Sequence, residues 1–427
     1  MVELVVELDE LLWFVCSVAC ACLVICFARR KPAPVERPIR IWMDGAFDMM
    51  HHGHVNAFRQ GRALGTHLVV GVNDDESISQ CKGAPVMGDR ERVTAVQSCR
   101  FVDEVVPGVP YVMDDEYLSY VVQKYRIDYV VHGDDACVVN GRDVYASAKA
   151  AGKYRTIPRT DGVSSTDIVG RMLLMSTEHH SPSSGATAVA GRLASQIARD
   201  KNEAEMPGVV GDFASASAAA DADEGDDVGG PAAASSSVSP LHRLRRVFAA
   251  AARPRPARGT VVYIAGAWDM FHAGHITTLE RARELGDFLV VGVHSDEVVN
   301  SQRGANMPVM NLDERVLCVL GCKYVDDVLV DAPRAITPDL LDSLRISVVA
   351  SGTRGDASLF FSNDGDDPFE VPKRLGIYRQ IPSASDLSVV EIANRIQQHH
   401  SAFDAKYRKK IKAQDAYYAS RREERAP

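Results

Sequence analysis

The sequence contains no Cys-x-x-Cys pair and no cysteine–histidine grouping, so it encodes neither a zinc ribbon nor a disulfide framework. Of nine cysteines, Cys16, Cys20, Cys22 and Cys26 share one apolar run and the rest are scattered, a usage that suits a reducing compartment. Positive charge is not in excess either. The formal net charge is -9, whereas a general nucleic-acid binder needs a basic surface, so no nucleic-acid partner is expected. Long apolar runs are scarce. Leu11 to Phe27 is seventeen residues without a charge, at the short end of what spans a bilayer. Glu3, Glu7, Asp9 and Glu10 precede it and Arg29, Arg30 and Lys31 follow, the reverse of a cleaved signal peptide. The expectation is one uncleaved transmembrane helix within residues 1–37. The positive-inside rule then places everything after Lys31 in the cytosol, on the endoplasmic reticulum or the mitochondrial outer membrane.

What the chain does contain is a duplication. Residues 41–77 and 262–298 share Gly45, Asp48, His51, Gly53, His54 and Gly71 with Gly266, Asp269, His272, Gly274, His275 and Gly292 at constant offset. The likeness continues through GDRERV and LDERV, then RFVDEVV and KYVDDVLV. A period near 220 residues is too long for a solenoid and marks a duplicated domain. Short apolar runs alternate with amphipathic stretches: Ile39 to Met43, His67 to Val72 and Asp128 to Val131 read as strands, His54 to Leu64 and Tyr117 to Arg126 as helices. The fold class expected is therefore α/β, two tandem Rossmann-like domains with parallel sheets. The predicted boundaries are 38–180 and 259–400 for the domains, 181–258 for a low-complexity linker and 401–427 for a charged, solvated tail. Residues 241–252 within the linker read as a short basic helix.

In a parallel α/β sheet, ligands sit at the carboxyl ends of strands, where MDGAFDMMHHGH leaves the first strand. A helix start offers N–H groups to anions, Gly45 and Gly53 allow close approach, and His51 and His54 can donate hydrogen bonds, which together suit a polyphosphate. A zinc site on His51, His52 and His54 is disfavoured, because the spacing lacks the four-residue step and no Cys or Glu ligand recurs nearby, so no metal ligands are assigned. The second element is RTDGVSSTDIVG, Arg159 to Gly170. Arg159 supplies charge, Gly162 a turn, and Ser164, Ser165 and Thr166 hydroxyls and a helix cap.

HxGH with RTxGVSxTD resembles the signature pair of the cytidylyltransferase family, within the HIGH and KMSKS nucleotidyltransferases. Two tandem copies, the second without RTxGVSxTD, look like its phosphoethanolamine branch, and HAGH, RARELGDFL and MNLDER look like the plant and algal form. The match runs from residue 38 to about 400, apart from the linker. The resemblance implies transfer of a cytidylyl group from CTP to phosphoethanolamine, releasing pyrophosphate, with Mg2+ on the phosphates, in phosphatidylethanolamine synthesis. It implies catalytic roles for His51, His54, Arg159 and Lys82, the last reaching in from a mobile loop. Gly45, Ala46, Phe47, Asp48, Gly53, His132, Gly133, Asp134, Asp135, Thr160, Gly162, Val163, Ser164, Ser165 and Thr166 would bind nucleotide, and Asp48 and Asp75 would contact the acceptor or magnesium. In the second copy Gly266, Ala267, Trp268, His272, Gly274 and His275 would keep residual nucleotide binding without turnover, or only stabilise the strand-to-helix turn. Arg303 stands there for Lys82, Ser351 for His132, and SASDLSVVE for RTDGVSSTD. A homodimer is left open. The competing readings are a phosphocholine cytidylyltransferase, disfavoured by the second domain, and a membrane-tethered nucleotide sensor.

Overall fold

A computed structural model describes residues 37–134, 137–139, 141–160, 163–175, 177–180, 247–248, 253–353, 367–405 and 407–408. The expected anchor, Asp135, Gly162 and nearly all of the expected linker lie outside these. Among the described residues no helix is long and apolar enough to cross a membrane.

The first half runs β1 (Arg40–Gly45), α1 (His52–Ala63), β2 (His67–Asn73), α2 (Asp75–Lys82), α3 (Asp89–Gln97), β3 (Glu104–Val109), α4 (Asp115–Tyr125) and β4 (Tyr129–Gly133). It continues through the short pair β5 (Val138–Val139) and β6 (Arg142–Asp143), then α5 (Ala146–Ala150), β7 (Tyr154–Ile157) and α6 (Ser165–Leu174). The second half repeats the plan: β8 (Val261–Gly266), α7 (Ala273–Arg283), β9 (Phe288–Val293), α8 (Asp296–Arg303), α9 (Leu312–Gly321) and β10 (Asp327–Val330). It ends with α10 (Pro338–Ser343), β11 (Val348–Gly352), α11 (Glu370–Arg374), β12 (Tyr378–Ile381) and α12 (Val389–Gln398). Each half holds a five-stranded parallel sheet, in the orders β3-β2-β1-β4-β7 and β10-β9-β8-β11-β12. The first strand of each half is central in its sheet, so the helix that follows it starts in the middle of the sheet's carboxyl edge.

Side-chain alternation decides what each face meets. Ile41 and Met43 of β1 point into a core that also takes Val262 and Ile264 of β8, so the two halves share one hydrophobic cluster. Trp42 on the other face joins Tyr145 and Val130 in a cluster belonging to the first half alone. Gly71 of β2 is small because a Cβ there would lie 2.6 Å from the Trp42 ring.

The halves meet about an approximate twofold arrangement: α1 packs on α9, and α3 on α7. Cys99 and Cys322 face each other in an antiparallel bridge, with Arg100 N–H donating to Gly321 O at 2.9 Å and Lys323 N–H to Ser98 O at 2.8 Å. Helix α9 is buried from Asp313 to Gly321, charged residues included.

The fold departs from the sequence reading at Lys82 and in the C-terminal run. Lys82 is the exposed last residue of helix α2 and not part of a loop; the chain turns at Gly83, with φ +85°, immediately after it. The stretch after residue 400 is not wholly solvated either. Phe403 is buried in the shared core, and Tyr407 packs so closely on Gly170 of α6 that a Cβ there would collide with its ring. Charged residues in that run concealed two aromatic anchors.

Candidate active site

The HxGH segment caps its own helix. His51, extended at φ -129°, is the N-cap of α1; its Nδ1 accepts from Gly53 N–H at 3.1 Å, while His54 Nδ1 accepts from His51 N–H at 3.3 Å. This is a capping box made from imidazoles. A ring nitrogen facing an N–H must be the acceptor, so in the neutral ring the proton resides on Nε2 and that atom is a donor. The two rings lie 4.1 Å apart between centroids. Gly53 is required because a Cβ would come within 2.9 Å of the His51 ring and 3.0 Å of Val163.

The turn leading into the helix is strained and tied down. Phe47 and Met49 have φ of 49° and 48°, as Trp268 and Met270 have 54° and 48°, conformations unusual for bulky side chains. The Asp48 carboxylate accepts from Val86 N–H and Met87 N–H, both at 2.9 Å; Asp269 does the same with Val309 and Met310, at 2.8 and 2.9 Å. Asp48 thus fastens the loop after α2 to the turn. Asp75 is engaged in a second tie: its side chain takes Arg92 Nη2 at 2.7 Å and Asp89 N–H at 3.1 Å. Both carboxylates expected at the acceptor or a magnesium ion hold the protein's own backbone and side chains together. Among the described residues no group of three or more His, Cys, Asp or Glu could hold a metal ion.

Arg92, fully buried, was missed in the sequence. It donates to Met87 O at 3.1 Å, Ala46 O at 2.7 Å and the carboxylates of Asp75 and Asp89, joining the turn, the loop and two helices. Arg315 makes the matching bonds to Met310 O and Ala267 O. The ERV shared by both copies was the signal for it.

The RTDGVSSTD element lies against the HxGH helix. Thr160 Oγ1 accepts from Asn56 Nδ2 of α1 at 2.9 Å, Ser165 Oγ donates to Asp48 O at 2.7 Å, and Ser164 caps α6 through Asp167 N–H at 3.1 Å. Asp134, just past β4, accepts from Arg159 N–H at 3.1 Å, bringing the HGD segment beside the same element. Gly45 ends β1 against the Phe47 ring, and Gly133 ends β4. The structure therefore assembles Gly45, Phe47, His51, Gly53, His54, Asp134, Arg159, Thr160, Val163 and Ser165 at one sheet edge. Lys82 ends helix α2, ahead of the loop that Asp48 fastens.

The second half keeps the cap, Ser388 Oγ accepting from Glu391 N–H at 3.2 Å, and the link beyond its fourth strand, Ser383 N–H donating to Thr353 Oγ1 at 2.9 Å, but not the two links to the HxGH helix and turn. Thr277 stands where Asn56 does and hydrogen-bonds within its own helix, Ala384 replaces Thr160, and Val389 replaces Ser165. Its histidines keep the capping box, with His272 Nδ1 accepting from Gly274 N–H at 3.1 Å. Burial, and after it the neighbouring Arg303 cation, push His272 down to about 3, and His275 is held well below its usual range by burial, His272 and Arg303.

On the opposite face of β1, Asp44 is buried and accepts from Trp42 Nε1 at 3.0 Å and Tyr145 OH at 3.4 Å. Burial pushes its carboxyl up to about 7. The His132 ring lies 4.8 Å from that of Tyr145, tilted by 38°, so His132 joins this group. The sequence signal was the difference at this position: the second copy has Ala265.

The family pattern described as Cytidylyltransferase-like matches residues 42–171 and 263–414, both halves. Ethanolamine-phosphate cytidylyltransferases match nearly end to end: that of Arabidopsis thaliana is 41% identical over 90% of this chain and 86% of its own length. The chain belongs to the ethanolamine-phosphate cytidylyltransferase family. Members from Dictyostelium discoideum, at 40% identity over 88% of this chain and 95% of theirs, and Mus musculus, at 38% over 92% and 94%, match over most of both lengths. Choline-phosphate cytidylyltransferase A of Rattus norvegicus is 43% identical but matches only 34% of this chain, within a single half's length. Membership in the ethanolamine-phosphate cytidylyltransferases makes the chain a nucleotidyltransferase.

The raised Asp44 carboxyl has a pH consequence. Unfolded, the group ionises near the ordinary aspartate value of 3.8, and folded only near about 7. The native state therefore holds the extra proton between those values, so substrate-free stability falls as pH rises through that window and is fully present below it. Asp44→Asn removes the penalty: at pH 8 the variant should be more stable than the parent by on the order of 3 kcal/mol, with little difference at pH 4. Urea unfolding at the two pH values checks this, and an Asn variant less stable at pH 8 would contradict the assignment.

Proposed function

We propose that the chain joins CTP to phosphoethanolamine, giving CDP-ethanolamine and pyrophosphate for phosphatidylethanolamine synthesis, and that the first half does the chemistry. The observation that carries the reading is the double link between the two phosphate elements there, Asn56 to Thr160 and Ser165 to Asp48 O. The second half keeps the HxGH floor without those side chains. Its role toward nucleotide is unproductive binding at most, since a largely buried neutral His pair already has the Arg303 cation beside it.

The reaction needs no protein nucleophile. Phosphoethanolamine has a phosphate whose second pKa of about 6 leaves it mostly dianionic at neutral pH. One of its oxygens attacks the α-phosphorus of CTP in line; that P–O bond forms as the bond to the β-phosphate bridging oxygen breaks, and pyrophosphate leaves with the electron pair. The Nε2–H donors of His51 and His54 and the N–H groups at the start of α1 stabilise the charge that grows on the phosphates. Arg159 adds a fixed cation, Lys82 another from the end of α2, and Thr160, Ser164, Ser165 and Thr166 close over the nucleotide. Gly133, Asp134 and Asp135 are assigned to the nucleoside side. Magnesium is assigned to the CTP phosphates as part of the substrate, because Asp48 and Asp75 do not fit as its ligands.

Asp44 suits the amine of the acceptor. A buried carboxyl kept half-neutral by burial gains most from a bound cation, and Trp42 Nε1–H and the Tyr145 hydroxyl hold its two oxygens in place. Phosphocholine is the second reading, and the end-to-end length of the ethanolamine-phosphate relatives weighs against it.

His54→Ala should lower pyrophosphate release by about a hundredfold or more, as expected for one lost transition-state donor, whereas the matching His275→Ala should stay within a few-fold of the parent. Equal losses in the two variants would refute the division of labour.

We also infer that Leu11 to Phe27 tethers the chain with both halves on the cytosolic side, supported by the acidic residues before the run and the basic ones after it. Protease added to intact organelles should digest the catalytic halves; complete protection would show the opposite orientation.

A further inference from the structure

Helix α6 carries the closing hydroxyls at its first turn, yet its other end is held by the second half. Arg171 Nη1 and Nη2 donate to the two Glu314 oxygens at 2.6 and 2.9 Å, and Nη1 also reaches Val309 O at 3.1 Å. Asn306 Nδ2 donates to Arg171 O at 3.0 Å. The Glu314 side chain is wholly buried and Arg171 is 17% exposed. Glu314 is itself fixed, at the third position of α9, by the capping box with Asn311. Burial opposes ionisation of Glu314, but the hydrogen bonds and charge of Arg171 outweigh it and keep the carboxyl below its usual range.

The same contact exists with the roles reversed. Arg395 of α12 donates to both Glu91 oxygens at 2.7 and 3.1 Å and to Val86 O at 3.3 Å. That pair is more open, with side chains 31% and 22% exposed. Each half therefore seats the other's last helix through one arginine fork. Only α6, however, begins with hydroxyls linked to an HxGH floor; α12 begins at Val389. The more deeply buried of the two forks is the one that mounts the intact element.

We propose that Glu314, a residue of the degenerate half, is a positioning residue for CTP binding in the first half: it seats Arg171 and so sets the height and tilt of α6, whose N-terminal hydroxyls close on the nucleotide. This rests on the reading of RTDGVSSTD as the nucleotide clamp. Ser165 and Arg171 are six residues apart, roughly 9 Å along the helix axis, so a tilt released at Arg171 moves Ser165 directly. Displacements near 1 Å at a reacting site can cost on the order of a hundredfold. A charged fork is suited to this task because its geometry is fixed in two directions, where an apolar contact could slide.

The test compares three full-length variants by KM for CTP, KM for phosphoethanolamine, kcat and melting temperature. Ser165→Ala reports on the clamp itself. Glu314→Gln removes the charge that seats Arg171. Arg100→Gln removes a different cross-half contact, the bonds from Arg100 Nη2 to Cys322 O at 2.9 Å and Val325 O at 2.6 Å, without touching α6. The expected result is a rise of about tenfold or more in KM for CTP in Glu314→Gln, with KM for phosphoethanolamine within twofold, and no such rise in Arg100→Gln at a comparable drop in melting temperature. Should Glu314→Gln fail to fold, Arg171→Lys keeps the charge but loses the fork, and should give the same selective rise. An unchanged KM for CTP in the folded variant, while Ser165→Ala raises it, overturns the positioning role. A rise in Arg100→Gln equal to that in Glu314→Gln also overturns it, since the effect would then belong to interface stability alone. No effect in Ser165→Ala overturns the clamp reading and this inference with it.

Discussion

The site depends on two imidazole nitrogens being used up. His51 and His54 spend Nδ1 on the N–H groups that open helix α1, which places both rings side by side and leaves the neutral proton on Nε2. A helix start already favours anions through its uncovered N–H groups, and here the capping groups become donors of the same sign of preference. Gly53 follows from this, because no side chain fits between the His51 ring and Val163. So does the strained turn at Phe47 and Met49, held by the two-amide grip of Asp48 and the Arg92 fork beneath it.

Duplication explains why so much of this survives where the proposed chemistry does not. The second half repeats the capping box, the positive φ values, the aspartate grip and the buried arginine. These features hold a strand-to-helix turn together in a protein whose two halves share one core, so losing them would destabilise both. What the second half has shed is the set of side chains that reach across to the opposite phosphate element: Asn56, Thr160 and Ser165 become Thr277, Ala384 and Val389. Its retained framework has a use of its own, since α9 is an inner wall for α1 and α6.

The strands, the first helix and the pairing of HxGH with RTDGVSSTD were legible because they rest on local period and on a motif that occurs twice. Contacts spanning a fold were not. Asp48 lies in the motif and looks like a ligand group, but its partners, Val86 and Met87, are almost forty residues away and act through backbone amides that no side-chain pattern reveals. Arg92 and Glu314 sit on helices as ordinary charged residues, and only the packing of α3 and α9 shows them to be buried. Asp44 was overlooked since its one signal, an aspartate where the second copy has Ala265, acquires meaning only with its burial and the Trp42 and Tyr145 donors. The aromatic anchors Phe403 and Tyr407 were hidden in a lysine-rich run, where charge density outweighed two apolar residues.

Histidine tautomers can be read directly, and they test the constraint on which everything else stands. With histidine side chains labelled with nitrogen-15 in the full-length protein, long-range nitrogen–proton correlation spectra separate a protonated Nδ1 from an unprotonated one. At the pH where the enzyme works, His51 and His54 should both have unprotonated Nδ1 and protonated Nε2, before and after CTP is added. A protonated Nδ1 on either ring would mean that it cannot accept the helix N–H, and the account of how this site is built would be wrong.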